Sequence, residues 1–443
     1  MAQNAAVLQA VEQLGYRVTV GDVAATAGLP LAVAQQGVLA LASDVQAHLQ
    51  VSEAGEIAYQ FPRNARVVLF SKYWRLRLQE TWSRIWRVLF YLIRVSFGIL
   101  LILSLLLIVF AVIALTVAAQ SSGQGNDRDD RRGYGGGGGG FIFMPRIWFG
   151  PDFFYLFDFN YGRNRRRQQL RRDSRGENQL NFLEAIFSFL FGDGNPNADL
   201  EERRWQTIGA VIRDHQGAVA AEQIAPYLDN LGQGWSRENE DYMLPVLSRF
   251  NGQPEVSPDG QIVYHFPELQ VTAADHRSIK VPEFLQELPR RFSQATSGQI
   301  MTAIGLGGVN LVGALALGSL LRDQALVAEL GGLVAFASSI YWLLLGYGAA
   351  FLTLPLVRYF WVQRQNRQID QRNYERQERA IALTNADQPL LQKLAFARQF
   401  AAQTVVSQEN LAYTTERDLI EQEAENPDKI DQEWQRRLSE YNR

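Results

Sequence analysis

Cysteine is absent from the chain. That excludes disulfides, thiolate nucleophiles, cysteine-ligated zinc and fully cysteine-ligated iron–sulfur clusters. Histidine is scarce: there are four, His48, His215, His265 and His276. None stands at a metal-binding spacing from another histidine or a carboxylate. No serine nucleophile elbow occurs. The six-glycine run at 135–140 precedes no Lys-Ser or Lys-Thr and follows no strand. It reads as a linker and not as a phosphate loop. An excess of either charge is also lacking. The formal net charge is −3 over 443 residues, so overall electrostatics select no partner. The opening MAQNAAVLQA has neither a basic start nor an apolar run and does not read as a secretory signal. These absences predict a non-enzymatic chain with no cofactor, no metal site and no catalytic residue.

Long uncharged runs are present instead. They cover 95–119, 292–321 and 330–357, and each exceeds the roughly 20 residues that cross a hydrocarbon core. One such run fits a buried helix of a soluble protein. Three together, one of them GILLILSLLLIVFAVIALTV, read as an integral membrane protein. No ionisable residue interrupts them, so a proton path is not expected. Asn310 is the strongly polar side chain near a span centre, and a helix–helix hydrogen bond accounts for it. Gly305, Gly307, Gly308, Gly313, Gly318, Gly331, Gly332, Gly346 and Gly348 lie in the last two spans. Small residues there predict close helix approach, within the chain or to another copy.

The soluble part repeats itself. VSEAGEIAYQFP at 51–62 returns as VSPDGQIVYHFP at 256–267. Alternating residues around Gly55 and Gly260 make each copy a two-stranded hairpin. Helical pattern precedes both: three segments from AAVLQAVEQLG to LAVAQQGVLALAS, and three from WQTIGAVIRDHQG to ENEDYMLPVLSRF. Three helices and a hairpin predict two winged-helix-like domains. Winged helices that bind DNA need cations on the docking face. From Met1 to Pro62 the one basic residue is Arg17, and from Trp205 to Gln270 Arg213, Arg237 and Arg249 face nine acidic residues. The third helix of the second copy opens with Glu238, Glu240, Asp241 and Tyr242, the candidate partner-binding residues. Nucleic acid is not an expected partner, and protein is.

Aromatic and basic residues crowd the flanks of the spans. Trp74, Arg75, Trp82, Arg84, Trp86 and Arg87 precede the first. Trp148, Arg165, Arg166 and Arg167 follow it. They are the candidate lipid-interface residues. Basic flanks inside and the short turn RDQALVAE outside satisfy the positive-inside rule. A single crossing before the second winged helix would put the two similar domains on opposite sides. FIFMPRIWFGPDFFYLFDF at 141–159 is either a re-entrant or interfacial element returning the chain, or an aromatic belt after one crossing. NFLEAIFSFLFGDGNPN carries an apolar stripe, Phe182, Ile186, Phe189 and Leu190. It is expected on the membrane surface or against the second winged helix. The tail is helical by composition, with a stripe of Leu391, Leu394, Ala395, Ala397 and Phe400.

The run NFLEAIFSFLFGDGNPNADLEERRWQTIGAVI, with GAVAAEQIAPYLD and YMLPVLSRFNGQPEVSPDGQIVYHFPELQ, resembles a membrane protein family of cyanobacteria and chloroplasts. The resemblance extends from the first span to the C-terminus. It implies a photosynthetic organism and a thylakoid, plastid or cyanobacterial plasma membrane. Plant members carry a loose label of iron–sulfur cluster biosynthesis, and a cysteine-free chain is no thiolate scaffold for such clusters. The resemblance brings no catalytic residues.

The fold expected is mainly α with small β-hairpins. A winged-helix-like domain at 1–66 is followed by a basic and aromatic juxtamembrane helix at 67–94, the first span and a Gly-rich linker at 120–140. An aromatic region with a basic stretch at 141–198 leads to a second winged-helix-like domain at 199–275, the last two spans and a charged helical tail at 358–443. The expected function is a membrane-anchored interaction or assembly factor of photosynthetic membranes, its soluble domains on the cytoplasmic or stromal side. Its expected partners are membrane proteins or assembly factors, the bilayer and a second copy through the Gly-rich helices. A channel or transporter accessory and a membrane-bound DNA-binding regulator are the alternatives.

Overall fold

The twelve-residue repeat folds twice into the same hairpin. In the first copy α1 (Ala2–Gln13), β1 (Arg17–Val18), α2 (Val20–Ala27) and α3 (Leu31–Val45) lead into β2 (His48–Ser52) and β3 (Ile57–Gln60). The chain then forms α4 (Ala65–Lys72), α5 (Trp74–Ser122) and α6 (Phe182–Phe191). In the second copy α7 (Leu200–Asp214), β4 (Ala218–Val219), a short α8 (Ala221–Ile224) and α9 (Leu244–Phe250) lead into β5 (Gln253–Val256) and β6 (Ile262–His265). The registers correspond residue for residue: Val51 opposes Ile57 as Val256 opposes Ile262, and Leu49 opposes Tyr59 as Pro254 opposes Tyr264. The unusual backbone conformations also correspond. Gly55 and Gly260 turn the hairpins with positive φ, and Gln46 and Asn251 close the third helices in the left-handed region.

This computed structural model describes residues 2–72, 74–122, 181–229, 231, 240–273, 281–407, 410–418, 434, 435 and 438. The described chain is mainly helical with small, mostly antiparallel sheets. It divides into two compact units. One comprises Met1–Thr81, Pro196–Pro289 and Arg367–Arg443, and the other Trp82–Asn195 and Arg290–Asn366.

The first unit holds both three-helix lobes, each with its own core. Val7, Val11, Val23, Val38, Leu41 and Phe61 fill the first, and Ile208, Ile212, Ile224, Met243, Phe250 and Phe266 the second. The copies differ in helix length. AVAAEQIAPYLD makes one α-turn and a 3₁₀ turn at Ala225–Tyr227, because Pro226 cannot continue the ladder. The third helix of the second lobe starts only at Leu244, with Pro245 in its first turn and a 3₁₀ turn, Asp241–Met243, before it. After β6 the chain makes α10 (Pro267–Gln270) and β7 (Val271–Thr272).

The second unit contains α11 (Ser297–Leu320), α12 (Gln324–Leu330), α13 (Gly332–Ser339) and the first half of α14 (Tyr341–Thr384). Three helices, Ile85–Gln120, Ser297–Leu320 and Tyr341–Thr384, are long and apolar enough to cross a membrane. The last expected span is not one continuous helix. Gly331 separates α12 from α13, whose first residue Gly332 is likewise at positive φ, and Ile340 separates α13 from α14. The expected close packing occurs at particular glycines. A Cβ on Gly307 would meet Phe351 at 2.5 Å, on Gly318 the Tyr341 hydroxyl at 2.1 Å, and on Gly348 the Asn310 Oδ1 at 3.1 Å. Gly305, Gly308 and Gly346 meet nothing within 4 Å. Asn310, fully buried, donates from Nδ2 to Ser104 Oγ at 2.6 Å, the helix–helix bond its position predicts.

Helix α6 is not packed against the second lobe. Its stripe, Phe182, Ile186, Phe189 and Leu190, packs with Leu101, Ala303 and Phe351 inside the second unit. The tail departs from its expected helical course. RQNRQIDQRNYERQERAIAL continues α14, and α15 (Gln388–Ala397) follows. Beyond it β8 (Thr404–Val405) pairs parallel with β7, and β9 (Leu411–Thr414) pairs antiparallel with β2. Available strand edges override the helical composition here. The buried stripe of α15 is Leu390, Lys393 and Ala397, while Leu391 is half exposed.

Candidate functional site

The two lobes meet where α2 crosses α7, and small residues make the crossing close. A Cβ on Gly209 would meet the Ala25 Cα at 2.8 Å, and one on Gly21 would meet the Glu268 carbonyl oxygen at 1.9 Å. Thr19-Val20-Gly21-Asp22 is a capping box that starts α2: Thr19 Oγ1 accepts from the Asp22 amide at 3.1 Å, and Asp22 Oδ2 accepts from the Thr19 amide at 2.9 Å. The same carboxylate serves the joint. It also accepts from the Ala273 amide at 2.9 Å, and its other oxygen pairs with Arg213 at 2.7 Å. Asp22 is fully buried. Arg249 stacks 4.3 Å over Trp205 and donates from Nε to the Gly28 carbonyl at 2.9 Å. Arg17 donates to Gln50 Oε1 and to the Ala273 carbonyl. Burial holds the guanidinium pKa of Arg17 and of Arg249 below the ordinary value. Three of the four cations counted in the lobes are thus turned inward to hold them together. The fourth, Arg237, lies outside the described residues.

In the first lobe α3 exposes Ala32, Gln35, Gln36, Leu39, Ala40 and Ser43. These six side chains carry no charge, and Asp44, the one charged residue of α3, is part-buried at their edge. In a three-helix-and-hairpin lobe theirs is the face of the third helix, where a DNA reader would place its cations.

Of the candidate partner-binding residues at the acidic opening of the second lobe's third helix, some are engaged inside the chain. Lys393 of α15 places Nζ 2.8 Å from Glu222 Oε2 and 2.5 Å from Glu240 Oε1. The Tyr264 hydroxyl donates to Glu240 Oε2 at 2.7 Å. Burial, then this hydrogen bond and the carboxylate charge, raise the Tyr264 pKa. Tyr242 is buried in the core of the lobe, because the 3₁₀ turn points it inward. Asp241 is exposed, and Glu238 lies outside the described residues. The sequence offers no sign of Lys393 as the counter-ion, since it stands far away on an otherwise apolar stripe.

Of the lipid-interface residues, Trp82 and Trp86 are 67% and 52% exposed on α5, and Arg87 is exposed beside them. Trp74, Arg75 and Arg84 lie on the same helix. Trp148, Arg165, Arg166 and Arg167, with the whole of 141–159, lie outside the described residues.

A polar cluster that sequence reasoning missed closes the end of α6. Gly192 and Gly194 turn with positive φ and place Asp193. Asp193 pairs with Arg94 at 2.9 Å and accepts from Ser188 Oγ at 2.6 Å and the Gln294 amide at 2.8 Å. Arg358 donates to the last carbonyls of the helix, those of Ser188 and Phe189, and stacks 4.3 Å over Phe292. A cation at a helix C-terminus meets unsatisfied carbonyls and the negative end of the dipole. The usable signal was the Phe-Gly-Asp-Gly sequence together with the first charge after the last span.

Among the described residues no group of three His, Asp or Glu side chains is placed to hold a metal ion. A cleft of about 430 Å³ beside α15 is lined by Asp214, His215, Gln223 and Arg398. Burial, with Arg398 nearby, lowers the His215 pKa against the opposing pull of Asp214.

No family model matches the chain, and no solved structure matches it. It is 38% identical over 445 residues to the Arabidopsis thaliana protein described as "Uncharacterized protein At5g03900, chloroplastic". The match covers 98% of this chain and 82% of the plant protein. The description of that relative gives a chloroplast and no iron–sulfur role. At this identity and coverage, the chain belongs to the same family as the chloroplastic Arabidopsis protein.

Proposed function

We propose that the protein is a non-enzymatic, membrane-anchored platform that binds protein partners, an interaction or assembly factor of a photosynthetic membrane. Its two lobes are winged-helix domains adapted to bind protein. One observation carries this reading. Arg17, Arg213 and Arg249 are spent at the joint between the lobes, while the displayed face of α3 is uncharged and carries the half-exposed Leu39. Nucleic-acid binding needs the reverse arrangement, with cations outward. Anchoring draws support from the three long apolar helices, whose outer faces expose Leu103, Phe110, Val312 and Leu343. Trp82, Trp86 and Arg87 suit a headgroup layer, and the basic flanks favour lobes on the stromal or cytoplasmic side. The chloroplastic relative supports a plastid-type membrane.

The test is affinity purification of the tagged chain from gently solubilised membranes, with cross-links mapped by mass spectrometry. Cross-links from the lobes to a membrane-complex subunit are expected. Repeated recovery with no partner linked to either lobe would contradict the reading. A second reading, a channel or transporter accessory, is favoured by the open glycines Gly305, Gly308 and Gly346. Solute flux in reconstituted vesicles would support it over the first.

A further inference from the structure

The duplicated lobes treat their outer strand edges in opposite ways. In the first sheet the order is β1-β3-β2-β9, so β2 is covered by the tail strand. In the second sheet the order is β4-β6-β5, and among the described residues β5 is the edge. Residues of β2 alternate in direction. Ser52 donates inward, to the Glu56 carbonyl. Leu49 and Glu53 donate outward, to Thr415 Oγ1 at 2.8 Å and to the Asn410 carbonyl at 2.9 Å, and the Thr415 amide returns a bond to the Leu49 carbonyl. The repeat aligns Leu49 with Pro254 and Glu53 with Pro258. These two donors are therefore missing from the second wing, and of the three outward positions only Val256, the counterpart of Val51, keeps its amide. Proline at these two positions closes an edge against a further strand. The first wing keeps both donors, and the chain covers them itself.

The covering strand is lightly held. Apart from the part-buried Leu411, which packs beside Ala58 and Val406, β9 contributes little buried surface, and Tyr413 is 38% exposed. Its register slips between Val51 and Ser52. Main-chain hydrogen bonds dominate its attachment, and such bonds are available to any extended chain of suitable composition.

We propose that the β2 edge of the first lobe is a strand-docking site for a partner's extended segment, and that residues 410–415 occupy it in cis until displaced. The segment it fits runs antiparallel to β2, with an aliphatic side chain in the place of Leu411 and a hydroxyl in the place of Thr415. This inference deepens the protein-platform reading and rests on it. It names where one partner segment binds.

The chain has no cysteine, which gives a clean background for the test. Val51 and Tyr413 lie opposite each other, within the Cα separation a disulfide accepts. Full-length protein in detergent is titrated with a fluorescent peptide of residues 410–416. Tyr413→Pro, which frees the edge by removing a pairing amide, is expected to tighten peptide binding about tenfold or more over the unaltered chain, as the competing cis state is removed. The oxidised V51C/Y413C protein is expected not to bind until reduced. Adding Leu49→Pro and Glu53→Pro to the freed chain, the pattern of the second wing, is expected to abolish binding. Equal peptide affinity in freed, locked and unaltered chains would overturn the proposal. So would V51C/Y413C oxidising between two molecules in place of within one, since the occupant would then be a second copy. Neither result touches the partner cross-links expected of the lobes as a whole, so the platform reading fails or stands separately.

Discussion

Removal of the Asp22 carboxylate should loosen both lobes at once. Asp22 accepts from two amides, at Thr19 in its own lobe and at Ala273 beyond the second hairpin, and it pairs with Arg213 of α7. Asp22→Ala leaves two buried N–H groups and one largely buried guanidinium without their acceptor. Each unmet buried group costs about 1–3 kcal/mol, and breaking a buried ion pair from one side costs about 3–5 kcal/mol. These costs overlap, because the same oxygens serve all three donors, so a loss of about 4 kcal/mol is expected. A domain has only about 5–15 kcal/mol in hand. Native-state hydrogen exchange of the full chain in detergent reads this amide by amide. Protection at Thr19 and at Ala273 should fall together, by about a thousandfold for that free energy. Asp22→Asn keeps an acceptor without the charge and should lose less. A loss below about 1 kcal/mol, or one at Thr19 that leaves Ala273 protected, would refute the argument that one carboxylate ties the lobes.

Three further outcomes are expected. Lys393→Met strands two buried carboxylates, Glu222 and Glu240, and should cost about 3–5 kcal/mol, read as faster exchange and proteolysis of α15. Gly348→Leu drives a side chain into Asn310 and Leu311 and should destabilise the second unit by about 1–3 kcal/mol. Gly346→Leu, which meets nothing, should be nearly neutral in the same thermal unfolding. Burial lowers the His215 pKa in the folded state. The unfolded chain therefore binds the proton more readily, so this contribution is present above the unfolded value, about 6.5, and is lost as pH falls towards the folded one. Thermal stability should decline over that interval, and His215→Gln should flatten the decline.

The repeat was legible because a hairpin writes itself locally: glycine at the turn and alternating residues on either side set the register that both copies share. The spans were legible because hydrocarbon solvation requires long uncharged runs whatever the tertiary fold. What escaped were pairings between distant segments. Thr404–Val405 and Leu411–Thr414 sit in a polar, helix-favouring tail and become strands only because β7 and β2 offer edges. Nothing local pairs Lys393 with a carboxylate, and only tertiary contact puts it between two. The Asp193 cluster joins residues from α5, the α6 turn and α14, and no periodicity connects them. The proline pair that blocks the second wing was visible in VSPDG and its neighbours, but its meaning required knowing which amides face outward.

A platform that binds protein through its first lobe must present the exposed face of α3 to a protein partner. A photo-activatable cross-linker at Gln36, exposed on that face, used in native membranes, tests it most directly. An adduct with a membrane-protein partner, lost when Leu39 is changed to Glu, is the expected result. Adducts with nucleic acid, or none at all under conditions where the protein is intact and membrane-bound, would contradict it.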